Sequence, residues 1–144
     1  VAWCDLAIAE EGARFATPGV KIGLFCTTPM VAITRAIGRK AAMEMLLTGR
    51  FYPASEAREL GLINRVVPKA ELEKEARAWA HNLAAKSPIA LQIAKQAYYR
   101  AEDMVYPNQF EYMNEAFARL CTTSDAKEGV TAFFEKRPPA FSGK

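Results

Sequence analysis

Strand-forming sequence is scarce in this chain and helix-forming sequence is abundant, and the two are unevenly placed. Residues 1–9 and 62–67 are short, mostly apolar runs that suit buried strands, and a briefer extended piece is expected at Arg14 and Phe15. Nearly everything after Pro68 instead repeats apolar residues at intervals of three and four. The combination points to an α/β fold in which helices overlie a small sheet.

Turn residues divide the chain further. Glu10-Glu11-Gly12 bounds the first strand, and Thr17-Pro18-Gly19 is a turn, because Pro fixes φ and Gly admits conformations closed to other residues. A helix is expected from Pro29, with Val31, Ile33 and Ile37 apolar and Gly38 as a left-handed cap. A second helix over residues 39–48 should bury Ala42, Met43, Met45, Leu46 and Leu47 and end at Gly49. A short helix over 55–60 stops at Gly61.

Four helices follow. Residues 71–85 carry Leu72, Ala76, Trp79 and Leu83. Ser87-Pro88 caps a helix to about residue 101, with Leu91, Ala94, Ala97 and Tyr98 inward. The next opens at Tyr106-Pro107-Asn108 with Phe110, Met113, Phe117 and Leu120 on one stripe, and the last runs from an N-cap at Ser124 to about Lys136. These apolar faces exceed what so few strands can cover. They suit either a helical layer over the chain's own sheet or contact with another subunit.

The chain has 144 residues, 51% hydrophobic and 24% charged, the balance of a core-forming domain. A net charge of +3, with basic residues scattered and with Phe15, Phe25 and Trp79 spaced as core residues, argues against nucleic-acid binding. Cys4, Cys26 and Cys121 are far apart and match no metal or redox motif, which suits a reducing compartment. His81 reads as a helix-surface residue with no second ligand near it. No apolar run reaches the roughly 18 residues of a membrane helix. The chain opens inside an apolar run and without Met, so it reads as a piece from the middle of a domain, with any targeting region expected ahead of it.

Seven blocks carry a resemblance. They are Cys4-Asp5-Leu6-Ala7-Ile8-Ala9, Ala13-Arg14-Phe15-Ala16-Thr17-Pro18, Gly23-Leu24, Gly38-Arg39, Met45-Leu46-Leu47-Thr48-Gly49, the run from Ala57 to Pro68, and Glu135-Lys136-Arg137-Pro138-Pro139-Ala140-Phe141. In this order they resemble the crotonase, or enoyl-CoA hydratase/isomerase, superfamily. The resemblance implies the later part of a ββα spiral in residues 1–68 and a C-terminal helical trimerisation region in residues 69–144, building homotrimers or hexamers. It also implies acyl-CoA substrates of fatty acid metabolism, with coenzyme A entering as part of the substrate and no permanently bound cofactor. No metal, nucleic acid or membrane is implied, and the compartment is the cytoplasm or the mitochondrial matrix.

In that family two backbone N–H groups form an oxyanion hole around the thioester carbonyl, worth several kcal/mol in comparable sites. Both donors map before Val1. Hydratases of the family use two glutamates on one water. The first also maps before Val1, and the second follows the Pro matched by Pro18, where this chain has Gly19. A further departure is the segment Phe25-Cys26-Thr27-Thr28-Pro29-Met30, which lacks the usual glycines and is one residue shorter. It resembles the enoyl-CoA hydratase domain-containing protein 3 subgroup. No catalytic residue is therefore assigned within the chain, and this piece alone is expected to be inactive. Pro18, Gly19, Phe25, Cys26 and Thr27 are expected to bind substrate. Cys26 reads as a pocket-lining or buried thiol, with a nucleophile as the alternative. Glu10 and Glu11 read as a solvated turn.

By the same resemblance Phe133, Phe134 and Lys136 match the segment that approaches the adenine and phosphates of coenzyme A, with Arg137 placed to assist, and Phe117 matches an aromatic that can reach a neighbouring subunit's pocket; Phe117, Phe133 and Lys136 are expected to bind coenzyme A. Helix packing remains the other reading for Phe133 and Phe134, and a surface ion pair for Lys136.

Overall fold

In the computed structural model, which describes Val1–Lys144, the chain forms two compact units, Val1–Ala78 and Trp79–Lys144. The first contains β1 (Ile8–Glu10), β2 (Arg14–Phe15), a 3-10 turn at Pro18–Ile22, α1 (Thr27–Ala36), α2 (Arg39–Thr48), β3 (Tyr52–Pro53), α3 (Ala54–Glu59) and β4 (Arg65–Val67). β1 runs parallel to β4 with Ala9 opposite Val66, and β2 runs antiparallel to β3 with Phe15 opposite Tyr52.

The strands are shorter than the apolar runs that encode them. Residues 1–5 form turns, and Val1 and Trp3 are each 62% exposed. A strand needs a partner for its N–H and C=O groups, and here pairing begins only where Asn64 N–H donates to the Ala7 carbonyl (2.8 Å) and Ala7 N–H donates to Asn64 Oδ1 (2.8 Å). Likewise Leu62 and Ile63 are not strand. Both are buried, and Leu62 N–H closes α3 by donating to the Ala57 carbonyl (2.9 Å).

Two helix ends differ from expectation. α1 begins at Thr27, ahead of Pro29, and Gly38 is extended (φ −60°, ψ 148°), serving as the N-cap of α2 and not as a left-handed cap of α1. The reason lies in Ile37, whose extended backbone turns the chain out of α1 and buries its side chain in the core. On α2 only Ala42, Met45 and Leu46 are buried; Met43 and Leu47, one turn apart on a separate stripe, are exposed. Val31 is also exposed. The core around them is Ala9, Ile33, Ile37, Ala42, Met45, Leu46, Tyr52, Ala54, Ala57, Leu62 and Ile63.

Arg50 joins the end of α2 to α3. Its guanidinium lies 3.6 Å from the Tyr52 ring centroid, donates to Glu44 Oε1 (2.9 Å) and forks onto both Glu56 oxygens. The Arg50 hydrogen bonds hold the Glu56 carboxyl below the usual range, and burial pushes the Tyr52 hydroxyl up.

A 3-10 turn at Lys69–Glu71 leads into α4 (Leu72–Ala84), within which the two units divide. α5 (Pro88–Ala101), α6 (Tyr106–Cys121) and α7 (Ser124–Glu135) follow and pack on one another. Their buried apolar side chains are alanines: Ala97, Ala101, Ala116 and Ala132. Of the expected inward positions Ala97 is buried, but Leu91, Ala94, Tyr98, Phe110, Met113 and Phe117 are exposed, and Leu120 is half-buried. Small side chains let the helix backbones come close, which leaves large neighbours on the same helices outside the contact.

The N-cap of α7 is Thr123, one residue before the expected Ser124, and its hydroxyl accepts from Ala126 N–H (3.1 Å). The buried Asp125 then anchors the chain end. Ser87 Oγ donates to it (2.6 Å), as do Ser142 N–H (2.7 Å) and Gly143 N–H (3.1 Å). Burial pushes the Asp125 carboxyl up, but these donors together outweigh it and hold it below its ordinary value. Beside it, Arg137 grips Glu128 with two bonds (2.6 and 2.9 Å) and Ala140 N–H adds a third (2.8 Å), drawing the Glu128 carboxyl down to about 2.

Unfolded, Glu128 titrates near 4.3, so its stabilisation is complete above that value and lost as the pH falls through about 2. Thermal unfolding from pH 7 down to pH 2 is expected to show Glu128→Gln less stable than the parent at neutral pH and losing less on acidification. Parallel curves for the two proteins contradict the assignment.

Candidate functional site

Thr17 is buried, and its hydroxyl donates to the Met45 carbonyl (2.9 Å), the same oxygen that accepts Gly49 N–H (3.1 Å) at the end of α2. Gly49 is left-handed (φ 58°), and a Cβ there would lie 3.0 Å from Val20 Cγ2 and 3.3 Å from Pro18 Cα. The 17–20 backbone therefore rests directly on the end of α2. Beyond it the 3-10 turn closes at the left-handed Gly23 (φ 76°), and Leu24 N–H donates back to the Gly19 carbonyl (3.0 Å). This return brings residues 25 and 26 against Gly19, where α1 starts with Cys26 as its N-cap.

A cleft of about 600 Å³ opens beside this junction, within the size range of small-molecule sites. Trp3, Phe15, Pro18, Ala32, Ile33, Met45 and Leu62 make its wall mostly apolar, with Thr17, Cys26 and Thr28 as polar contributors. Arg14 is its one charged lining residue, and no carboxylate lines it. Such a wall suits an apolar chain.

Of the substrate-binding residues expected from sequence, Pro18 and Cys26 line this cleft. Gly19 lies behind them, half-buried against Cys26, with the Phe25 carbonyl carbon 3.4 Å from where its Cβ would stand. Thr27 is exposed at the first position of α1, and its neighbour Thr28 takes the lining place instead. Phe117, Phe133 and Lys136 belong to the second unit, on α6 and at the end of α7. Phe133 and Phe134 meet edge to face (5.7 Å between centroids) and are both more than three-quarters exposed. Lys136 is left-handed (φ 55°), its N–H capping α7.

Neither Glu10 nor Glu11 lines the apolar cleft. Glu10 lies 4.0 Å from Lys69, and Glu11 lines a separate polar cleft with Ser55, Arg58 and Glu59. Sequence reasoning missed Trp3, Met45 and Leu62 as cleft residues, because they lie far apart along the chain and only pairing and packing unite them. Thr17 had a signal: a threonine preceding Pro-Gly, read only as part of a turn.

This chain belongs to the enoyl-CoA hydratase/isomerase family, whose sequence model matches residues 1–144, and the architecture is part of the crotonase α/β fold. Among individual proteins it is 42% identical over 142 residues to enoyl-CoA hydratase domain-containing protein 3, mitochondrial, of Rattus norvegicus, covering 99% of this chain and 47% of that protein. It is 41% identical to a putative enoyl-CoA hydratase of Thermus thermophilus, covering 96% of this chain and 54% of that one. The crystal structure of an enoyl-CoA hydratase of Mycobacterium smegmatis superposes with a TM-score of 0.93 at 43% identity, over 97% of this chain and 55% of the other. Human enoyl-CoA hydratase domain-containing protein 3 superposes with a TM-score of 0.90 at 40% identity, over 97% and 55%. The chain thus spans about half the length of the relatives it matches.

Gly49 provides a direct test of the junction. Gly49→Ala adds a Cβ 3.0 Å from Val20 Cγ2 at a left-handed φ, which should destabilise the protein by about 1–3 kcal/mol. Urea denaturation measures it, and a change within experimental scatter would show that the 17–20 segment yields.

Proposed function

We propose that the protein containing this chain acts on acyl-CoA thioesters through an oxyanion hole supplied by sequence outside the chain, and that it does not hydrate enoyl groups by the two-glutamate route. The observation that carries this reading is Gly19 at the position after Pro18, beside a cleft with no carboxylate in its wall. Hydration requires one group to take a proton from water while another delivers one to carbon. In this reading Gly19 leaves the one group that the resemblance maps before Val1, and a single such group suffices for isomerisation, hydrolysis, decarboxylation or slow hydration.

In this reading Pro18, Cys26 and the apolar wall hold the acyl portion and keep water from it, while Gly19, Phe25 and Thr27 shape the adjoining backbone. Phe117, Phe133 and Lys136 contact the coenzyme A moiety. Lysine suits that role as a mobile point charge beside phosphates. The exposed aromatic side chains of α5, α6 and α7 suit association into a homotrimer or a hexamer. The mitochondrial names of the relatives favour the mitochondrial matrix over the cytoplasm.

The intact protein with crotonyl-CoA tests the reaction. Turnover should fall roughly 10²–10⁴-fold below that of a two-glutamate hydratase, the usual contribution of general acid–base catalysis; turnover at ordinary hydratase rates overturns the proposal. A second reading, a silent acyl-CoA-binding or scaffold subunit, is favoured by the same carboxylate-free wall. Calorimetry separates the two: tight binding of acyl-CoAs with no turnover of any supports the silent subunit, and no binding sinks both. Lys136→Gln should weaken that binding severalfold while leaving the unfolding temperature unchanged.

A further inference from the structure

We infer that Gly19 and Cys26 are a size-coupled pair, in which the Cys26 thiol makes the closest overlap with any side chain placed at position 19, a carboxylate included. A Cβ built on Gly19 falls 2.9 Å from Cys26 Sγ, 3.3 Å from the Cys26 backbone nitrogen and 3.4 Å from the Phe25 carbonyl carbon. The first distance lies well inside the contact range of non-bonded carbon and sulfur. Gly19 does not have a positive φ, so its backbone conformation does not demand glycine. Space does.

Neither backbone is placed to give way. Residues 17–20 lie against α2 through the Thr17 bond to Met45, and Gly49 meets Val20 and Pro18 at 3.0 and 3.3 Å from its own Cβ position. On the other face, Leu24 N–H is bonded to the Gly19 carbonyl (3.0 Å), and the Cys26 carbonyl accepts Met30 N–H (2.9 Å) in the first turn of α1. Of the three atoms crowding position 19, Sγ alone belongs to a side chain. The closest of the three overlaps therefore depends on the side chain at 26, while the backbone contacts at 3.3 and 3.4 Å remain whatever residue stands there, so a carboxylate at 19 is better accommodated when residue 26 is smaller. The catalytic consequence of this packing rests on the function proposed above.

Thermal unfolding of the intact protein tests the pair through Gly19→Ala, Cys26→Ala and the double variant. Gly19→Ala should lower Tm by roughly 5 °C when Cys26 is present and by less than half of that when residue 26 is alanine. Equal shifts in both backgrounds overturn the coupling. If Gly19→Ala fails to fold, recovery of folded protein by adding Cys26→Ala is the same result, and failure of both variants overturns it. A second arm separates packing from chemistry. Gly19→Glu alone should give no gain in crotonyl-CoA hydration, and Gly19→Glu with Cys26→Ala at least a tenfold gain. Coupled Tm shifts without any gain would uphold the pair and overturn the assignment of position 19 to a lost carboxylate.

Discussion

The Met45 carbonyl oxygen accepts two hydrogen bonds, from Gly49 N–H at the end of α2 and from the buried Thr17 hydroxyl arriving from a different part of the chain. The apolar cleft depends on this junction. It fixes the 17–20 backbone on α2, which sets where Pro18 stands as wall and where Gly19 meets Cys26. Gly49 makes the contact close, since any Cβ would separate the two segments. A buried hydroxyl with its partner in place costs little; losing the partner leaves a desolvated donor.

The second unit obeys a different constraint. Its helices meet through alanine and are tied by one buried carboxylate, Asp125, which gathers donors from Ser87 and from the chain end at Ser142 and Gly143. Alanine contacts bury little apolar area for each residue, so the polar anchor and the Arg137 fork on Glu128 matter more than they would in a leucine-rich bundle. The same packing leaves Tyr98, Phe110, Phe117, Phe133 and Phe134 outward. Large aromatic residues placed that way make a surface suited to further contact.

Much of the local structure was legible in residue patterning. The bounds of α2, the caps at Ser87 and Gly49, the extended pair at Arg14 and Phe15 and the order of the four C-terminal helices all follow from periodicity and turn chemistry. The failures have a common cause. Residues 1–9 and 62–67 are apolar enough for longer strands, but pairing begins only near Ala7 and Asn64. The stripes containing Tyr98 and Phe117 are helical in period, yet which stripe faces inward was decided by the alanines that allow close contact. Asp125 carried no signal, because nothing in its neighbourhood announces donors from Ser87 and Ser142.

The seven motif blocks determined the family, and the sequence also determined that glycine follows Pro18 and that residues 25–30 contain none. Those are facts of residue identity and order, readable without coordinates. Only the tertiary structure decided that the two sites meet: the Cys26 thiol stands 2.9 Å from where a Cβ at Gly19 would be, a distance set by the turn through Gly23 and by the seating of residues 17–20 on α2. Spacing along the chain carries no information about such a contact, because it arises from close packing between segments whose relative position is fixed by other residues.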